Sequence, residues 1–308
     1  MVIARRGFEM RTKVILFGLL IGWFGYVGPA PAFGQEQEEV RGAFLTTRPK
    51  PVEQSKSGAA ARPSRRRPKT TATRPSTASD PLPATSAKTS NSGSAKATTQ
   101  RIGLGLTLFT RDSNGLAVRV DPAHEFRKGD RVRLLLETNT AGYLYIFNTT
   151  DGGQPVLIYP DADLEEAGNF IQAHVPVELP SSLAGEERLR WLAFDEHAGA
   201  ERLYFVFTRE PLPAVPIEDD LINYCREKIS NCPWHPGSEL WAQIQKHLNA
   251  PVQVAKMQRF GNAQTSGEHT ATTRGIGLSK EDPEPSLIML TASSCTAMLV
   301  TKLDLIHR

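Results

Sequence analysis

The chain has no Gly-x-Ser-x-Gly elbow and no Ser-x-x-Lys pair, which removes two sequence signatures of an activated serine. His124, His174, His197 and His247 are scattered with no nucleophile close by in sequence. Gly103-x-Gly105 opens a strand-like run rather than a helix, so it is no phosphate loop. The longest apolar run, Val14 to Gly28, is fifteen residues, short of the about 20 that a bilayer span needs. Beyond Phe44, no aromatic residue interleaves with the basic ones of Arg41 to Arg101, which argues against nucleic acid as a partner. With 33 Asp and Glu in the chain, a pair of acids suited to glycoside cleavage marks nothing by itself. Nothing that remains names a catalytic residue or a cofactor.

The ends are informative. Arg11 and Lys13 precede the apolar run, and Ala30-Pro31-Ala32 follows it. That layout predicts a secretory signal peptide over residues 1–34, cleaved after Ala32 or Gly34, with a retained anchor as the alternative. The expected location is periplasmic or secreted, with no stable membrane span after cleavage. Ala4-Arg5-Arg6-Gly7-Phe8 resembles a twin-arginine signal. Glu9 departs from that pattern, however, and Met10 offers a second start for an ordinary signal. No cysteine lies near the cleavage site, so no lipoprotein is expected.

Residues 35–101 read as a disordered linker rich in Pro, Ser and Thr. From Arg41 to Arg101 there are 13 Lys and Arg against 2 Asp and Glu, whereas residues 102–308 carry 19 against 27. So few apolar residues cannot offset the chain entropy of folding. A tether of about 60 such residues reaches on the order of 40–45 Å. It serves either to contact an anionic surface or as a solvated spacer. Arg65-Arg66-Arg67 is its densest cluster and reads equally as a protease-sensitive site.

Residues 102–308 predict one mainly β domain, an antiparallel β-sandwich of immunoglobulin-like or jelly-roll-like kind with a small two-helix insertion. Leu104 to Leu108 alternates, and Asn114-Gly115 turns the chain into Ala117 to Val120. Val132, Leu134 and Leu136 share one face of the next strand, with Arg131 and Arg133 on the other. Tyr143 to Phe147 is apolar on both faces, as a central strand requires. Asp151-Gly152-Gly153 then turns the chain into Val156 to Tyr159, which Pro160 stops. Further strands are expected at Phe170–Leu179, Trp191–Phe194 and Leu203–Thr208. The helical insertion falls at about 216–250, with Leu221, Cys225 and Ile229 on one stripe and Leu240, Trp241, Ile244 and Leu248 on the other. Residues 261–273 read as an exposed loop, and a closing pair of strands is expected within 286–307.

The blocks Phe126-x-x-Gly129-Asp130, Gly142-Tyr143-Leu144-Tyr145, Leu157-x-Tyr159-Pro160 and Glu201-Arg202 to Thr208-Arg209-x-Pro211 resemble the domain-of-unknown-function family 4384. The likeness spans roughly Gly103 to Pro213. It implies an extracytoplasmic or multidomain bacterial setting and no established catalytic residue. Tyr159 and Thr208 stand where Phe and Ser are commoner.

Four candidate features follow from residue types. Cys225 and Cys232 suit a disulfide in an oxidising compartment, which leaves Cys295, expected to be buried. With His235 the same cysteines would give a zinc site that lacks a fourth ligand. Asp161, Asp163 and Glu166 place three carboxylates within six residues, the hard ligands that calcium takes. Tyr143 and Tyr145 form an aromatic binding face if exposed, or fill the core if buried. Together these point to a non-enzymatic binding or assembly module of the cell envelope, with a protein or polysaccharide partner. An envelope hydrolase or carbohydrate-acting enzyme is the alternative, and a metal-stabilised adhesion domain a third reading.

Overall fold

The computed structural model describes residues 33–50, 100–162, 168–227, 232 and 234–308. Residues 1–32 of the expected signal peptide, the stretch 51–99, Ile229 and the carboxylates Asp163 and Glu166 therefore lie outside the described residues.

Two sheets pack face to face. The first has the order β11-β12-β1-β4-β8, formed by Val252–Lys256, Ile288–Ala292, Gly103–Arg111, Arg131–Thr138 and Val177–Leu179. Strand β2 (Ala117–Arg119) pairs with β1, and β9 (Leu192–Ala193) with β4. The second has the order β3-β13-β10-β5-β6, formed by Glu125–Phe126, Met298–His307, Gly199–Thr208, Gly142–Thr150 and Val156–Tyr159. Strand β7 (Phe170–Ile171) joins it on β5. Every pairing is antiparallel except β3 with β13. The result is a β-sandwich.

The alternation in β4 sends Leu134 and Leu136 into the core between the sheets, where they meet Leu144, Ile146, Phe205 and Leu303. Strand β5 is apolar on both sides because both sides are covered. Its Tyr143, Tyr145 and Phe147 face a second cluster with Leu221 of α2 (Asp219–Arg226) and Leu240 and Ile244 of α3 (Ser238–Leu248). Gly142 starts β5 where its neighbour strand comes too close for a side chain: an added Cβ would lie 2.3 Å from the Thr208 carbonyl oxygen. Gly115, at φ +81°, supplies the left-handed turn between β1 and β2.

Six features depart from what the sequence suggests. Residues 33–50 are not linker: Phe33–Leu45 forms helix α1, with Val40 and Phe44 buried against Ala255 and Met289 on the outer face of the first sheet. Val40, Phe44 and Arg48 are spaced for one helical face, a signal diluted by the polar residues around them. Residues 33–50 and 100–308 belong to one compact unit, so residues 51–99 join two points of that unit. A single strand at Phe170–Leu179 is replaced by β7 and β8, one in each sheet; His174, at φ 60°, turns the chain between them. The closing strands do not pair together, since β12 runs beside β1 and β13 beside β10. Residues 261–273 are not all loop, because Ser266–Arg274 is helix α4. Thr265 and Glu268 form a capping box at its start. Its buried residues, Glu268, Ala271 and Thr272, are small or polar and leave no apolar stripe. Strand β11 was not anticipated from the sequence either. Finally, Cys295 is exposed on the turn after β12 rather than buried.

Candidate functional site

The period of two that buries Leu134 turns Arg131 and Arg133 of β4 to the opposite face of the first sheet. There Arg133 is almost wholly covered, 6% exposed, and its guanidinium lies 4.0 Å from the centre of the Trp191 ring. Its Nε and Nη2 donate to the Arg190 carbonyl oxygen at 3.0 and 2.8 Å. Arg111, at the end of β1, and Arg190, in a 3-10 turn at Glu187–Arg190, complete three arginines around one cavity of about 450 Å³. Gln264, Ser266 and His269 line the opposite wall at the start of α4. Helix α4 is held there by an almost wholly buried ion pair between Arg119 of β2 and Glu268. Arg119 Nη1 also donates to the Ala263 carbonyl oxygen at 2.8 Å.

Negative charge is scarce in this cavity. Glu187 is the one carboxylate in its wall, and it is committed to Arg111 at 2.6 Å. Glu178 lies deeper and accepts from Gln264 Nε2 at 2.6 Å. Burial pulls the Arg133 pKa down; Glu178 opposes this, while Arg190 and Arg111 add to it. Like charges crowded over an aromatic floor favour an incoming anion, which restores the missing counter-charge.

A second polar cluster sits under the end of α1. Arg48 Nε and Nη2 donate to Glu137 of β4 at 3.0–3.1 Å, and Arg48 Nη1 donates to the Asp282 carbonyl oxygen at 3.0 Å. His174 Nδ1 lies 3.0 Å from Glu137 Oε1, and its Nε2 lies 2.9 Å from Thr47 Oγ1. Because a carboxylate only accepts, it favours the proton on Nδ1 and leaves Nε2 to accept from the threonine. Hydroxyl, imidazole and carboxylate in line can activate a nucleophile. Yet Thr47 Oγ1 is also within 2.9–3.0 Å of the Ala43 and Phe44 carbonyl oxygens at the helix end. What the cluster does in this geometry is fasten residues 46–50 to β4.

The residues singled out from sequence fare differently. Cys225 and Cys232 are joined by a disulfide with Cα atoms 5.0 Å apart, between α2 and α3. His235 turns Nδ1 to the Pro155 carbonyl oxygen at 2.8 Å, and among the described residues no three metal-binding side chains converge. Asp161 is exposed directly after Pro160. Tyr143 and Tyr145 are both buried, because α2 and α3 cover their face, so they offer no exposed platform. Tyr145 instead accepts a hydrogen bond from the Leu212 amide at 2.9 Å. Sequence reasoning missed Arg111 and Arg190, took Trp191 only as the start of a strand, and placed Arg133 only on the face of its strand opposite Leu134. The adjacency of Arg190 to Trp191 was the one local hint.

Residues 125–211 match the model of a family described as a domain of unknown function (DUF4384), and this stretch of the chain is such a domain. It runs from β3 through β10, a narrower span than the resemblance suggested. No curated protein and no solved structure matches the chain.

Proposed function

We propose that the protein is an exported, non-enzymatic binding module of the cell envelope that holds an anionic polysaccharide in the arginine-lined cavity. The observation that carries this is the convergence of Arg111, Arg133 and Arg190 on one cavity whose wall has a single carboxylate, already paired. A carboxylate on a sugar ring suits such a site, because guanidinium binds it with two parallel hydrogen bonds and Trp191 adds an aromatic wall. The apolar run and small-residue site before residue 34 support export. No helix among the described residues is long and apolar enough to cross a membrane.

The test is affinity electrophoresis and calorimetry with polygalacturonate, using amylose as the neutral control. The protein is expected to bind polygalacturonate and not amylose, and more weakly as salt rises. Arg133→Met should weaken binding at least tenfold, and removal of the basic residues 51–99 should leave most of it. Equal retention by amylose, or full binding by a folded Arg133→Met variant, sinks the proposal.

A hydrolase is the second reading, and the line Thr47–His174–Glu137 favours it. Neither Thr47 nor His174 lines the arginine cavity. Release of acetate from an acetylated sugar, lost in Thr47→Val and in His174→Gln, would support that reading over simple binding.

A further inference from the structure

Val132 and Arg133 are neighbours in β4, yet they line different cavities, because successive side chains leave a strand on opposite faces. Arg133 belongs to the cationic cavity described above. Val132 lines a cleft of about 260 Å³ at the end of the sandwich where β4 begins and β5 and β13 finish. Its walls combine Val132 and Leu192 from the first sheet with Leu203 and Leu305 from the second. No lysine or arginine lines it, whereas Glu201 and Asp195 both do.

The polar groups there are arranged to accept hydrogen bonds. Asn148 Nδ2 donates to Glu201 Oε2 at 2.7 Å, and Thr150 Oγ1 donates to the same oxygen at 2.9 Å. Glu201 Oε1 is used by neither. The first of these bonds fixes which end of the Asn148 amide is which, since only the nitrogen can donate. Asn148 Oδ1 is then a buried acceptor with no partner, an arrangement that costs stability unless something supplies a donor. Asp195 is held ionised by the backbone amide and ring of His197. Two carboxylates and an unfilled amide oxygen above an apolar floor select a group that is cationic, rich in N–H and carried on a hydrocarbon.

We infer that this cleft is a second ligand site, for a small organic ammonium ion with a short apolar body. The ammonium meets Glu201 and Asn148 Oδ1, and the hydrocarbon lies between Val132, Leu192, Leu203 and Leu305. Ten of the twelve lining residues fall within 125–211, so the site belongs to the family domain. The arginine cavity also draws on residues 111–117 and 263–269, outside that span. This inference is independent of the proposed polysaccharide binding.

The experiment titrates the mature chain with n-hexylammonium and with hexan-1-ol, read by calorimetry and by ligand-observed NMR. Saturable binding of n-hexylammonium is expected, at least tenfold tighter than hexan-1-ol. Glu201→Gln should weaken n-hexylammonium about tenfold and leave hexan-1-ol unchanged. Asp195→Asn, at an exposed position, makes the same charge test should Glu201→Gln fail to melt like the parent. Val132→Phe fills the cleft and should abolish binding of both probes while the protein still unfolds cooperatively. Absence of saturable binding overturns the inference. Equal affinity for hexan-1-ol, or unchanged n-hexylammonium affinity in folded Val132→Phe, does so as well.

Discussion

Arg48 and Glu137, 89 positions apart in sequence, meet as a two-pronged ion pair whose side chains are 0% and 1% exposed. A charge pair taken wholly out of water contributes little net stability, but removing one member strands the other. Arg48→Ala should therefore cost about 3–5 kcal/mol in urea unfolding. Replacing the two together, Arg48→Met with Glu137→Leu, should recover only part of that loss, because His174 Nδ1 then loses its acceptor. A parent-like midpoint for Arg48→Ala would show that residues 46–50 are not docked in solution.

Residues 51–99 join two points of one unit, so they can be shortened without releasing anything. Exchanging them for about ten Gly and Ser residues should leave the fold intact. It should also raise stability by about 1.4 kcal/mol, since loop-closure entropy falls with length. A deletion that begins at residue 41 should instead unfold the protein or lower its melting temperature sharply, because it takes away Phe44 and Arg48. Matched melting curves of the two deletions decide the point. Similar behaviour would contradict the docking of residues 41–50.

Tyr145 offers a test with a definite pH sign. Burial lifts its hydroxyl above the ordinary 10.0; the hydrogen bonds from Asn169 and Leu212 oppose that and do not cancel it. The folded state thus keeps a proton that the unfolded state gives up. Its contribution is complete below about pH 10 and is lost as pH rises through the folded value. Tyr145→Phe leaves the Leu212 amide without its acceptor and should cost about 1–3 kcal/mol at pH 7. At pH 11 the gap between variant and parent should narrow, as measured by urea midpoints. A gap that widens contradicts the assignment.

The disulfide between Cys225 and Cys232 closes a short loop between α2 and α3. By chain entropy such a closure contributes about 2.5 kcal/mol. Alkylation without reductant should modify Cys295, which is exposed, and leave the other two unmodified in the mass spectrum. Reduction should lower the melting temperature and loosen the cover over Tyr143. Labelling of all three cysteines in the untreated protein would refute the bridge.

Much of the sandwich was legible because its signals are local. Alternation set the inner and outer faces of β4, and Asn114-Gly115 marked the β1–β2 turn. The doubly apolar run of β5 announced that something must cover each side. What stayed hidden depends on partners far apart in the chain. Arg48 looks like one more basic residue until Glu137 and His174 are beside it. Arg133 looks solvent-facing until Trp191 and α4 close over it. Helix α4 itself was concealed because the residues it buries are polar or small, even though Thr265-x-x-Glu268 spells its cap. The break between β7 and β8 rests on a left-handed histidine, which residue preference does not foretell.

The chain leaves the sandwich at Lys50 and returns at Gln100, and contacts on both sides hold it. Arg101 reaches Glu39 of α1 at 2.5 Å, and the Asn139 amide bridges the carbonyls of Ala43 and Arg101. Such a doorway suits splicing. A guest protein whose own ends lie near each other could be inserted there, and a fluorescent guest would report where the host goes while the host's sheets remain untouched.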